Sequence, residues 1–172
     1  TSHLYQLPGS YSPRLTVTDS LGSSATYQLS ITAPGMNLPA DPATVAPVIQ
    51  FNGSSITANT LQFLYSGPNQ TQTGVSINAI DSRRASLLRG KVLAPNGQPI
   101  GGVKVQVLNQ PSLGSTLTRA DGMFDMVVNG GGNPVLQFIR NGYSEAQRSV
   151  PTAWEEMSVI DDVVLTLLDQ QV

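Results

Sequence analysis

The sequence predicts an all-β fold, a β-sandwich with an additional N-terminal β segment. Three observations carry this. Apolar residues alternate with polar ones over short stretches, the period of a half-buried strand. Gly, Asn and Pro pairs interrupt those stretches at frequent intervals, the spacing expected of a sandwich. No segment sustains a 3.6-residue apolar period, so essentially no helix is expected. The run from residue 117 to 132 condenses all three. Asp121-Gly122 is a turn pair, because glycine takes the positive φ that other residues resist. Phe124, Met126 and Val128 then alternate with Met123, Asp125 and Val127. Asn129-Gly130-Gly131-Gly132 has too much backbone freedom to continue a strand and reads as a tight hairpin.

The elements follow in order. Residues 1–33 read as a β-hairpin region: residues 5–7 lead into Pro8-Gly9, and residues 14–19 put Leu15 and Val17 on one face. Asp19-Ser20-Leu21-Gly22 turns the chain, and residues 27–31 align Tyr27, Leu29 and Ile31. A lone hairpin is marginal in water, so a partner is expected from strands in residues 48–65 or from a second copy of the chain. Residues 34–47 carry Pro34, Pro39, Pro42 and Pro47 and read as a semi-rigid linker, since proline lacks the ladder donor. Residues 48–85 read as short strands at 48–51, 55–58 and 61–65, followed by a polar, irregular lead-in. Residues 86–169 form the sandwich. Seven strands are expected there, at 87–94, 102–109, 114–119, 123–128, 134–140, 143–150 and 157–168. The core should hold Leu88, Val92, Val103, Val105, Val107, Phe124, Met126, Val128, Phe138, Val163 and Leu165, with Leu167 continuing the last alternation.

Composition narrows the function classes. Hydrophobic residues make up 40% of 172, enough for a buried core rather than a disordered chain. Charged residues make up only 12%, about half the usual share. That balance, with abundant Gly, Ser, Thr, Asn and Gln, fits a turn-rich secreted protein. The net charge is −2 and no basic cluster exceeds Arg83-Arg84 with Arg89 nearby, which argues against nucleic acid as a partner. Cysteine is absent, which excludes disulfides and thiolate metal sites. No apolar run reaches the length of a membrane span. The start, Thr1-Ser2-His3-Leu4, has neither a basic nor an apolar leader region, so it is expected to be an internal cut from a longer chain with any export signal upstream.

Two features of residues 86–169 carry a family resemblance. One is Leu88-Arg89-Gly90-Lys91-Val92 followed by Asn96-Gly97-Gln98-Pro99-Ile100-Gly101-Gly102-Val103. The other is Thr118-Arg119-Ala120-Asp121-Gly122-Met123-Phe124. Together they resemble the carboxypeptidase regulatory-like, or transthyretin-like, domain, which implies an Ig-like/transthyretin-like β-sandwich. The longer string through Gly132, with Asn141-Gly142-Tyr143 and Gln147-Arg148 downstream, looks like the version found in large bacterial YD-repeat (RHS) proteins and their teneurin relatives. Gln72-Thr73-Gly74-Val75 and Arg83-Arg84-Ala85 look like that family's lead-in. Upstream, Leu7-Pro8-Gly9-Ser10-Tyr11 and residues 15–22 are similar to the final strands of a PKD-type Ig-like domain. The resemblance implies a non-catalytic structural module, secreted or at the bacterial cell surface, whose partners are neighbouring domains of the same long chain. A carbohydrate- or host-protein-binding adhesive module is the alternative.

Few residues point to chemistry. His3 is the sole histidine, so neither a histidine triad nor a multi-histidine metal site can be built. Asp121 and Asp125, with Asp19 and Asp161-Asp162 elsewhere, offer oxygen ligands of the kind calcium takes. Their plainer reading is an Asx turn for Asp121 and a solvent-facing strand position for Asp125. Glu155-Glu156 are adjacent and cannot face each other across a cleft as a glycosidase pair must, so they read as a solvated loop. Gly130-Gly131-Gly132 lacks the lysine and helix of a phosphate loop. Tyr143 and Trp154 are the candidate binding residues, as a sugar-stacking platform or as caps on the sandwich core. No catalytic, cofactor or metal residue is expected.

Overall fold

The computed structural model describes residues 9–33, 35, 37–47 and 57–168. Residues 1–8 and 48–56, which include His3, the strand expected at 48–51 and the first half of that expected at 55–58, lie outside them. The chain divides into two compact units, residues 1–37 and 38–172.

The first unit is made of short antiparallel pairs. Strands β2 (Arg14–Thr18) and β3 (Ser24–Gln28) form the expected hairpin, with Leu15 opposite Tyr27 and Val17 opposite Ala25. The Asp19 carboxylate closes the turn by accepting from the N–H groups of Leu21 and Ser23, both at 2.9 Å. Strands β1 (Gly9–Tyr11) and β4 (Ile31–Ala33) pair separately. In the single chain the hairpin's apolar face stands open: Leu15 is 61% and Tyr27 65% exposed.

The second unit is an all-β sandwich of the expected class, with two α-helices and a 3-10 turn at Pro111–Leu113 among the described residues. Helix α1 (Pro42–Val45) sits inside the proline-rich stretch; the Asp41 side chain caps it by accepting from Ala43 N–H, and Pro42 occupies the first turn, where its missing donor costs nothing. Helix α2 (Thr57–Tyr65) replaces the strand expected at 61–65 and overlaps the end of that expected at 55–58. The expectation of essentially no helix is therefore corrected. Leu61, Leu64 and Tyr65 stand at i, i+3 and i+4, one stripe of a helix too short for its period to declare itself. The segment expected to pair with the hairpin is thus partly helical.

One sheet runs β11–β10–β7–β8–β5, and the other is centred on β6. In the first, β7 (Lys104–Val107), β8 (Ser115–Leu117), β10 (Val135–Ile139) and β11 (Ala146–Ser149) occupy expected strands. The fifth member, β5 (Gln72–Thr73), comes from the lead-in that read as irregular. In the second, β6 (Ala85–Leu93) pairs antiparallel with β9 (Met123–Asn129). Along its other edge β6 pairs in parallel with two short strands, β12 (Met157–Val159) and β13 (Val163–Val164). The single strand expected at 157–168 is therefore broken at residues 160–162, and Leu167 is exposed.

Apart from Leu167, every core residue expected from alternation is buried, and Phe124 meets Phe138 edge to face with ring centroids 5.5 Å apart. β6 and β9 are buried on both faces. The outer face packs Ala85, Leu87 and Val127 against Leu64 of α2, making the helix a third layer. Because β9 and β10 belong to different sheets, the Gly130–Gly132 run crosses between sheets rather than closing the hairpin expected there.

Candidate functional site

The signature residues hold the fold. Thr118 is fully buried; its hydroxyl donates to the Ile100 carbonyl at 2.6 Å and accepts from Val103 N–H at 2.9 Å. It thereby pins the turn that precedes β7. Asp121 accepts from Met123 N–H at 2.9 Å, the Asx turn read from the sequence. Gly122 has φ +79°, and a Cβ there would stand 2.6 Å from the Val92 carbonyl oxygen. Only glycine satisfies both conditions.

Asp125 is not solvent-facing. Its side chain is 1% exposed and lies between two guanidinium groups. Arg89 Nε donates to one carboxylate oxygen at 2.7 Å and Arg119 Nη1 donates to the other. Asp121 stands 3.6 Å from Arg119 Nε. Both Asp125 oxygens are engaged by arginine, so this cluster is an ion-pair network, chemically unlike a calcium cage. The alternation of Met123, Asp125 and Val127 gave no sign of it, because the arginines come from β6 and from the turn before β9. Glu155, Glu156, Asp161 and Asp162 are exposed. Among the described residues no three His, Cys, Asp or Glu side chains gather as a metal ion requires.

Gln72 was missed as a site residue and is completely buried. Its side-chain amide nitrogen donates to the carbonyls of Leu113 (2.7 Å) and Val127 (2.9 Å), and its oxygen accepts from Val127 N–H at 2.7 Å. One side chain from β5 so pairs with both backbone groups of a residue on β9. It covers part of a sheet edge that would otherwise be buried unpaired. Polarity on a strand edge was the available signal, but sequence places no partner opposite it.

The candidate binding residues lie apart. Tyr143 follows β10; it is half-buried against the core, with the Arg140 guanidinium 5.4 Å from its ring centroid. Trp154 lies beyond the other end of β10, 58% exposed, beside the Gly130-Gly131 crossing. A Cβ on Gly131 would overlap the indole, so the glycines admit the ring. Arg84 stands over Trp154 at 5.8 Å and donates from Nε (3.1 Å) and Nη2 (2.9 Å) to the Gly130 carbonyl. The same arginine lines a cleft of about 270 Å³ at this end of the sandwich, with Gln110, Leu113, Val128, Asn129, Asn133 and Pro134. Tyr65, on α2, has its phenol pKa raised by burial.

Sandwich, crossing glycines and signature turn together define a transthyretin-like module. The teneurin TTR-like domain model matches residues 80–165, and the chain belongs to that family. It is 33% identical to Teneurin-4 of Mus musculus over 122 residues, 71% of this chain and 4% of that protein. It is 38% identical to Teneurin-1 of Gallus gallus over 87 residues, 51% of this chain and 3% of that protein. The chain thus spans about 4% of the length of the curated relatives it matches. A solved 3-chlorocatechol 1,2-dioxygenase from Rhodococcus opacus aligns over 57% of this chain and 66% of its own, at 10% identity and TM-score 0.43, a likeness too slight to argue from.

Proposed function

We propose that this chain is a non-catalytic structural module of a large secreted or surface YD-repeat (RHS-like) protein, bacterial in origin, that supports and positions neighbouring domains of the same chain. The observation that carries this is the engagement of the signature: Thr118, Gly122, Phe124, Asp125 and Gln72 each serve a turn, the core, an ion pair or a sheet edge. None is left facing solvent to act on a substrate. Family membership and the small share of the relatives' length that the chain spans support a module within a longer protein. In this reading the N-terminal strands are the end of a PKD-type Ig-like domain. No helix among the described residues is long and apolar enough to cross a membrane.

The test is replacement. In the longer protein, residues 80–165 are exchanged for a Gly/Ser linker of similar reach. The adjoining domains are expected to lose protease resistance. Unchanged resistance would overturn the supporting role.

A second reading, a carbohydrate- or host-protein-binding adhesive module, is favoured by one observation, the exposed indole of Trp154 beside Arg84. A glycan array on the intact chain tests it.

A further inference from the structure

We propose that the cleft at the Arg84 end of the sandwich binds a carboxylate-bearing sugar residue. This inference rests on the adhesive reading and gives it a site and a ligand class.

Charge comes first. Arg84 is part-buried, and among the described residues no carboxylate pairs with it, whereas Arg89 and Arg119 are both committed to Asp125. No acidic side chain lines the cleft. The Gly130 carbonyl accepts from Arg84 Nε and Nη2 and anchors the guanidinium, and Nη1 makes no hydrogen bond to a described residue. A guanidinium anchored on a carbonyl and unpaired with any described carboxylate is suited to a planar carboxylate.

Free amides come next. Asn129 is committed: its oxygen accepts from Asp81 N–H and its nitrogen donates to the Ala79 carbonyl. Gln110 and Asn133 are exposed, and their side-chain amides make no hydrogen bond to a described residue. Each offers a donor and an acceptor, the pairing that sugar hydroxyls require. The lining is largely polar: Leu113 and Val128 are buried beneath it and only Pro134 adds a partly exposed apolar edge. The volume, about 270 Å³, is near the lower limit for small-molecule pockets and fits one ring rather than an extended ligand.

The rim supplies stacking. Trp154 packs against Gly131, has the Arg84 guanidinium of the cleft over its ring at 5.8 Å, and remains 58% exposed, so it neighbours the cleft through Arg84 without lining it. An aromatic face against sugar C–H groups, with charged and amide donors at one edge, forms an amphipathic site matching an amphipathic ligand.

The protein carries its own reporter. Trp154 is the only tryptophan in the chain, so intrinsic tryptophan fluorescence reads this rim alone. The intact chain is titrated with galacturonic and glucuronic acids, with glucose and sodium acetate as comparators. A saturable change in emission is expected with at least one of the two acids, at affinities of roughly millimolar as befits a single ring. Glucose and acetate are expected to leave the spectrum unchanged. In the Gln110→Ala/Asn133→Ala double variant the affinity should fall about tenfold or more, with the melting temperature unchanged because neither amide holds the fold. No saturable change with either acid, an equal response to glucose or to acetate, or full affinity in the double variant would each overturn the proposal. Failure here leaves the supporting role untouched, since that role is read from protease resistance in the longer protein. A glycan array positive for neutral sugars only would keep the adhesive reading and reject this ligand.

Discussion

Phe124 fills the core between the two sheets, and Gln72 links them through its side-chain amide. Phe124 is fully buried, and its ring lies where a Cβ on Gly90 would stand, 2.8 Å away. Phe124→Ala is expected to destabilise the unit by about 3–5 kcal/mol, the usual cost of truncating a buried aromatic, read by denaturant unfolding of the whole chain. Gln72→Ala removes three hydrogen bonds at once and leaves Val127 N–H and two carbonyls buried without that partner. A loss of at least about 2 kcal/mol is expected, since each unsatisfied buried group costs roughly 1–3 kcal/mol. A value near zero in the same unfolding measurement would mean that water replaces the amide. Core positions such as Phe124 were legible in the sequence because alternation by itself identifies the inward face. Gln72 and Asp125 were not. Their roles depend on partners brought from β9, β6 and the turn before β9, a long-range pairing that local pattern does not encode.

At the scale of elements, α2 replaces the strand expected from the pattern at 61–65 and overlaps the end of that expected at 55–58. Nine residues give barely two and a half turns, too few to separate a helical stripe from short strands. What fixes the helix is the apolar outer face of β6 and β9, which Leu64 covers. Leu64→Ala should cost about 2–5 kcal/mol, as for other buried leucines, and should speed amide exchange in α2 and along Ala85, Leu87 and Val127 more than in β10 and β11. Uniform acceleration would contradict a separate third layer. Tyr65, on the same helix, gives a pH signature. Burial raises its phenol pKa above the ordinary 10.0, so the folded chain keeps a proton that the unfolded chain has lost. The associated stability is complete below pH 10.0 and is lost as pH rises through the folded value. Tyr65→Phe should remove that alkaline component of the unfolding profile. The strand assignments at 87–94 and 123–128 were legible because frequent turns bracket them; the crossing of Gly130–Gly132 between sheets was not, since turn residues mark a change of direction without saying which sheet follows.

On the scale of the whole molecule, the architecture puts its distinctive residues into holding itself together. The Arg89–Asp125–Arg119 network lies on the second sheet, the Gln72 amide bridges the two, and the signature turn locks the start of β7. The first unit differs: its hairpin pairs as the sequence predicts and the Asp19 carboxylate closes its turn, while Leu15, Val17, Tyr27 and Leu29 are exposed in the single chain. A module that serves its neighbours through rigidity must transmit its own stability to them. The direct test is scanning calorimetry of the longer protein with and without Phe124→Ala. If the module supports the domains beside it, their transition falls in step with the module's own. If only the module's transition falls while the neighbouring domains melt at their original temperature, the supporting role is contradicted.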